Sequence, residues 1–270
     1  WEKRRKALVA NIKAQAPDIL GIQEATPAKV KSAKNGKSVK QHDDLLYLLG
    51  SKYRYATTTN SEGTRLAYNT ARLTLVKSGA QKLTTVGKYS RYAVWAILKD
   101  KIGGRQVFAV NTHLEPPSGG NANKNIWNAR KKQANQIMDL IAKQNTGKLP
   151  VVLTGDLNSS RANKPSNGVY REFLERGLVD PLGDADDTWF RITPGIAEHE
   201  IGVEYNSFNN LERKARRTAY GVGTHVDYIL VSRGVRVAKV QTVVSLDRNG
   251  KFKGTIPSDH NLITTTIHVG

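Results

Sequence analysis

Four short stretches place groups capable of acid–base chemistry at the ends of apolar runs, and a fifth places one inside such a run. Val151-Val152-Leu153-Thr154 is β-branched and bounded by Pro150 and Gly155, the signature of a buried strand, and it delivers Asp156 and Asn158 at its carboxyl end. Two residues apart, these side chains share a side if the chain stays extended. Asp18 to Ile22 ends in Gln23-Glu24, and Val107 to Leu114 carries Asn111 and His113. Asp227 lies inside an otherwise apolar Val226–Val231 run, and Asp259-His260 precede the last one. Each has a structural reading: an Asx turn at Asp156, a buried histidine at 113, an ion pair at Asp227. Several strand ends alike in this way point instead to one site. Carboxylates there can hold a hard cation, and histidines can move protons.

The elements needed to position these groups follow from periodicity. Trp1 to Ala16 reads as an amphipathic helix with Trp1, Leu8, Ile12 and Ala16 near one face, stopped by Pro17. Residues 28–40 read as a mobile basic loop and Asp43 to Leu49 as a short helix. Tyr53 to Thr59 reads as a strand, and Arg65 to Tyr68 with Leu73 to Val76 as a hairpin. Tyr92 to Leu98 and Val107 to Leu114 are strands joined at Gly103-Gly104. A Gly/Asn/Pro-rich loop (residues 116–123) leads to an amphipathic helix, Trp127 to Lys143, and Tyr170 to Arg176 forms another before Gly177. Residues 180–223 are irregular and hold Arg213, Lys214, Arg216 and Arg217 among Tyr205, Phe208 and Tyr220, a pattern suited to phosphates and stacked bases. Strands Val226–Val231, Val235–Ser245 and Leu262–Val269 close the chain. This order predicts one domain over residues 1–270 with two sheets, one from each half, and helices outside.

The composition points to a polyanionic partner. Lys and Arg total 42 against 23 Asp and Glu, a formal net charge of +19 over 270 residues. Such a field favours nucleic acid, anionic lipid or an acidic polymer. No apolar run approaches the ~20 residues of a transmembrane helix. With no cysteine, disulfides and thiolate metal sites are excluded, and the redox compartment stays open.

The set Asp18-Ile19-Leu20-Gly21-Ile22-Gln23-Glu24, Asn111-Thr112-His113-Leu114, Gly155-Asp156-Leu157-Asn158, His225-Val226-Asp227-Tyr228-Ile229-Leu230 and Ser258-Asp259-His260 resembles, in order and over almost the whole chain, the endonuclease/exonuclease/phosphatase superfamily typified by pancreatic deoxyribonuclease. The resemblance implies an α/β fold, a four-layer α-β-β-α sandwich of two mixed sheets face to face with helices outside. It also implies phosphoester hydrolysis with a divalent cation, Mg²⁺ first, Mn²⁺ or Ca²⁺ as alternatives. On that basis Glu24 is the principal metal ligand and Asp259 a second or water-mediated one. His260 binds the phosphate and acts as acid/base, with Asp227 fixing its tautomer. Asp156 orients or deprotonates the attacking water, and Asn158 holds that water or the phosphate. His113 stabilises the transition state or protonates the leaving oxygen. By the same resemblance Glu62 pairs with His113, and Arg91 contacts phosphate. Two departures stand out. Family members begin with a strand bearing a supporting Asn, so the resemblance implies a trimmed chain here. Asn261 follows Asp259-His260 where a small or Pro-containing pattern is frequent.

The expected activity is a DNA nuclease acting as a monomer, extracellular or on a bacterial surface, with DNA as its partner. One alternative keeps fold and metal but hydrolyses lipid or inositol phosphate, as sphingomyelinases, phospholipase C-like enzymes and inositol-phosphate phosphatases do. Another is a non-catalytic nucleic-acid-binding protein, for which Glu24, His113, Asp156 and His260 would serve no purpose.

Overall fold

A computed structural model describes residues 1–117, 124–161, 168–184, 193–218 and 221–269. Tyr220 and most of the expected 116–123 loop lie outside the described residues.

The elements in chain order are α1 (Arg5–Gln15), β1 (Ile19–Ile22), β2 (Lys29–Lys31), β3 (Ser38–Lys40), α2 (Gln41–Leu49), β4 (Tyr53–Tyr55), β5 (Arg65–Asn69), β6 (Leu73–Lys82), β7 (Tyr92–Asp100) and β8 (Gln106–His113). They continue with α3 (Lys124–Gln144), β9 (Val151–Asp156), α4 (Gly168–Glu175), β10 (Leu178–Val179), β11 (Ala197–Ile201), β12 (Asp227–Ser232), β13 (Arg236–Val243) and β14 (Leu262–His268).

Four layers result, as the motifs imply. The central sheet has six strands in the order β10-β12-β9-β8-β7-β6. Only its β8–β9 pair is parallel, and that pair is joined by the long helix α3, the crossover a parallel connection demands. Burial of Ile126, Ala134, Ile137, Met138 and Ile141 gives α3 one apolar stripe. That stripe covers the outer face of the sheet together with Val169, Tyr170 and Phe173 of α4. The inner face packs Val94, Ala96, Leu98, Ala109 and Val152 against Leu66, Tyr68, Val237 and Val240. These last belong to two three-stranded sheets, β1-β5-β4 and β11-β13-β14. Helices α1 and α2 close the far side of the first through Val9, Ile12, Leu45 and Leu49.

Three expectations change. The sheets are not assigned one to each half: the six-stranded sheet draws β6, β7 and β8 from the first half and β9, β10 and β12 from the second. Arg65–Tyr68 and Leu73–Val76 are not a hairpin. β5 pairs with β1 and β4, while β6 pairs with β7 in the other sheet. The short link between them, tied by Thr70 N–H to the Lys52 carbonyl, carries the chain from one layer to the next. Residues 28–40 are not a loose loop; β2 and β3 form an antiparallel ribbon. Among the described residues no helix is long and apolar enough to cross a membrane.

Candidate active site

Strand register builds the centre of the site. In the parallel β8–β9 ladder His113 lies beside Asp156, and in the antiparallel β9–β12 ladder Asp156 lies beside Asp227. Three functional side chains therefore occupy one row across three neighbouring strands. His260, arriving on the segment before β14, completes it: its Nδ1 lies 2.8 Å from Asp227 Oδ2. Ligand atoms of Asp156, Asp227 and His260 all fall within 4.8 Å of one another. His113 Nε2 stands 3.5 Å from Asp156 Oδ2. Asn158, at φ 48, donates its backbone N–H to Asp156 Oδ1 at 2.7 Å and its amide to the Leu114 carbonyl.

The row is buried and its charges interact. Burial, then the negative charge of Asp227, pushes the Asp156 carboxyl up to about 7, with His260 opposing and Glu24 adding to the rise. Burial works against a charged His260 ring, but the Asp227 hydrogen bond and the charges of Asp227, Asp156 and Asp259 outweigh it and raise the ring to about 9. His260 is therefore an imidazolium at neutral pH, held in one orientation by a carboxylate. Burial, aided by Arg91, brings His113 down to about 3; it is neutral at pH 7 and offers an N–H hydrogen bond instead of a mobile proton.

That asymmetry has a measurable consequence. A histidine kept neutral in the fold but protonated in the unfolded chain contributes stability fully present above its ordinary value of 6.5 and lost as pH falls toward its folded value. His113 does this between 6.5 and about 3. The deeply buried His225, whose Nε2 meets the Tyr205 carbonyl, adds to it in the same direction. In urea unfolding, each such histidine contributes up to about 1.4 kcal/mol per pH unit to the loss of stability between neutral and acid pH, opposed by Asp156, whose raised carboxyl takes up a proton in the fold between about 7 and its ordinary value of 3.8. His113→Gln should remove one histidine's share of that slope; an unchanged slope would contradict the assignment.

Glu24 enters from the second layer. It follows β1 at φ 59 and is exposed, with no hydrogen bond or ion pair to another side chain among the described residues, yet its charge reaches Asp156. Its position depends on a residue whose role the motif alone does not reveal. Asn111, fully buried, donates its amide to the Ile22 and Arg65 carbonyls and accepts from Gln23 Nε2 and Thr154 Oγ1. It fastens the end of β1 to the central sheet, and its burial inside β8 was the signal available in sequence. Gly21 permits the close approach: a Cβ there would lie 2.1 Å from Thr154 Oγ1 and 2.5 Å from Asn111 Oδ1. Asn111→Ala strands several of these buried groups, each costing about 1–3 kcal/mol. A loss near 3 kcal/mol in denaturant titration is expected, with a larger effect on metal dependence than on substrate affinity.

The remaining expected residues divide. Asp259 is at the site: its side chain is 42% exposed, lies 3.9 Å from Arg4 Nη1 and adds its charge to His260. Arg91 is also present, acting on His113, with its Nε 3.8 Å from Glu115 Oε2. Glu62 does not pair with His113. The turn holding it precedes β5, which belongs to the β1 sheet, and Gly63 abuts the backbone of Glu24. Glu62 thus lies on the Glu24 side, where its charge acts on Arg65. The acid beside Arg91 is Glu115, buried and held by Gln133 through its backbone N–H. Arg130, on α3, contacts the Asn158 carbonyl and feels both Asp156 and Glu115. Phe208 is half exposed, with its ring centroid 5.0 Å from that of His260. Arg213 and Arg216 are spent on the Phe252 and Gly254 carbonyls and on Glu212, so the basic 213–217 cluster is partly structural.

The Endonuclease/Exonuclease/phosphatase family model matches residues 1–260. The chain belongs to this family. Family members are hydrolases of phosphoester bonds and are generally dependent on a divalent metal. Rat (Rattus norvegicus) Nocturnin is 24% identical over 230 residues, 74% of this chain and 48% of its own length; the chain thus spans about half of that relative. Among solved structures, a mannosyl-6-phosphatase of Bacteroides thetaiotaomicron superposes with TM-score 0.74 at 19% identity, covering 99% of this chain and 91% of that one. The D. rerio TDP2 complex with single-strand DNA product superposes with TM-score 0.60 at 15% identity, covering 98% and 91%. At these identities the likeness is one of fold. The donors suit a hard cation: Asp156, Asp227 and His260 place ligand atoms within 4.8 Å of one another, the charges of Glu24 and Asp259 act on that group, and the chain has no thiolate. Asp156 is pushed up by burial first and by the charges of Asp227 and Glu24 second, and a cation beside it would favour its ionised form.

Proposed function

We propose that the chain is a divalent-metal-dependent phosphodiesterase, a nuclease acting on DNA with Mg²⁺. The observation that carries this reading is the row His113–Asp156–Asp227 with His260 locked to its end and the charge of Glu24, whose carboxylate has no partner among the described residues, reaching Asp156. A bound Mg²⁺, held by Glu24 with Asp259, would supply Lewis-acid neutralisation of charge on the phosphate. The chain's own groups do the rest. The His260 imidazolium binds a phosphate oxygen, with Asp227 fixing the ring. Asp156, close to neutrality in its proton affinity, accepts a proton from the attacking water. Asn158 keeps that carboxylate oriented. His113, neutral, donates a hydrogen bond to the developing oxyanion, and Arg91 adds positive charge on the same side. Proton donation by His113 to the leaving oxygen is disfavoured by its low proton affinity; in this reading the His260 imidazolium gives its proton to the leaving oxygen as the P–O bond breaks, and regains one from solvent.

DNA is the substrate favoured by a net charge of +19, which draws polyanions. In this reading the chain works as a single-domain monomer at or outside a bacterial surface. The test is hydrolysis of plasmid DNA, RNA, sphingomyelin and inositol phosphates with Mg²⁺ or Mn²⁺, with His260→Ala alongside. DNA cleavage lost in the variant supports the reading. Hydrolysis of a lipid or inositol phosphate with DNA intact overturns the substrate, and equal turnover by the variant overturns the mechanism.

A further inference from the structure

The ribbon formed by β2 and β3 is unusual in what it presents. Residues 28–40 contain five lysines and no acid. Lys29 pairs directly with Lys40, and Lys31 with Ser38; cross-strand partners share a face, so Lys29, Lys31 and Lys40 point the same way. Like charges directly opposite each other destabilise a strand pair. Val30 and Val39, also paired, are the half-buried face. None of the five ammonium groups has a carboxylate within ion-pair distance among the described residues; Lys34 rests 5.8 Å over the Tyr47 ring.

The ribbon is nevertheless held firmly. Lys31 N–H donates to Glu2 and the Lys31 carbonyl accepts from Arg5. Ala33 N–H donates to Asp44, whose carboxylate also takes Trp1 Nε1 and Arg5. The nearby acids Glu2 and Asp44 are thus engaged by backbone, indole and guanidinium donors. At its base, Gln41 N–H meets the Ala28 carbonyl and the Thr26 and Gln41 side chains are bonded to each other. Lys29 is five residues beyond Glu24, which limits their separation to about 17 Å, roughly five base steps at ~3.4 Å each along a duplex.

We propose that this ribbon is a phosphate-backbone contact for duplex DNA, gripping the strand a few nucleotides from the bond cleaved at the row of His113, Asp156 and Asp227. The inference rests on the nuclease reading and adds where the substrate is held. A row of lysines without base-reading side chains positions the duplex without regard to sequence.

Binding of a short labelled duplex by the full chain in EDTA, followed across salt, tests it. Lys29→Gln, Lys31→Gln and Lys40→Gln together should lower the slope of log affinity against log salt by roughly 2–3, from about 0.9 per phosphate contact. A control triple, Lys132→Gln, Lys143→Gln and Lys148→Gln, removes the same charge from α3 and the turn after it and should change the slope much less. Equal slopes for the ribbon triple and wild type, or equal losses in both triples, overturn the proposal. A ribbon triple that loses binding to phosphatidylserine vesicles but not to DNA also overturns it. Hydrolysis of a small phosphodiester by the ribbon triple should match wild type. If the wild type cleaves no DNA yet the slope falls as stated, the ribbon contact stands and the nuclease reading alone is lost.

Discussion

Replacing His260 with alanine is expected to lower turnover of DNA by about 10²–10⁴-fold, the range for a positioned acid–base group. Its KM should change far less. The reason lies in two contributions at one residue. The ring carries a positive charge at neutral pH because Asp227 and its neighbours raise it to about 9, and it sits at the end of the row of His113, Asp156 and Asp227, hydrogen-bonded to Asp227. Asp227→Asn should fall in the same range without touching substrate. An amide in place of the carboxylate removes both the charge and the acceptor that fix the ring, so the ring titrates nearer its ordinary value. The alkaline limb of the rate profile, set by loss of the His260 proton, should then shift to lower pH. The double variant should be hardly worse than either single one, because groups that act as a unit are not additive. Losses that multiplied would separate the two residues and contradict the pairing. Folding should survive in all three, since His260 is partly exposed and asparagine keeps the shape of the buried Asp227; circular dichroism with urea titration checks this.

The second large effect is expected at Glu24. Glu24→Gln keeps size and exposure but removes the charge. Activity at saturating DNA should need much more Mg²⁺, by at least the ~10–100-fold that even supporting residues cost at metal sites. Asp156 gives an independent readout. With one negative neighbour gone, its carboxyl should titrate lower in the metal-free variant than in the metal-free wild type, because the Glu24 charge contributes to its rise. The direction follows from charge alone: fewer nearby anions favour the ionised form. An unchanged Mg²⁺ requirement would remove Glu24 from the metal site.

Much of this site is legible in the sequence because strand ends are. A β-branched run bounded by Pro150 and Gly155 predicts β9, and its last residue, Asp156, lies where the prediction puts it. His113 is readable as a strand-end residue, whereas Asp227 reads as lying inside a strand and is in fact the first residue of β12; that both share a row with Asp156 is not readable. That depends on β12 lying antiparallel and β8 parallel to β9, a matter of topology that local pattern does not encode. Glu62 shows the limit from the other side. The family resemblance implies that it partners His113, but its place before a strand cannot say which sheet that strand joins. The lysine-rich stretch 28–40 read as a loop because lysine and glycine disfavour strands. Val30 and Val39 were the signal that two short strands could pair there, and anchoring by Glu2, Arg5 and Asp44 is long-range. Asn111 was visible only as part of a motif, and its four hydrogen bonds across three strands needed the fold to be seen.

The central claim is that these residues form one metal-dependent phosphodiesterase centre. The most direct measurement is conversion of supercoiled plasmid by the wild-type chain across a Mg²⁺ titration, with EDTA as the baseline. Nicked and linear products that rise with Mg²⁺, vanish in EDTA and need higher Mg²⁺ in Glu24→Gln are the predicted result. Plasmid left supercoiled at every Mg²⁺ concentration, or cut equally in EDTA, would contradict it.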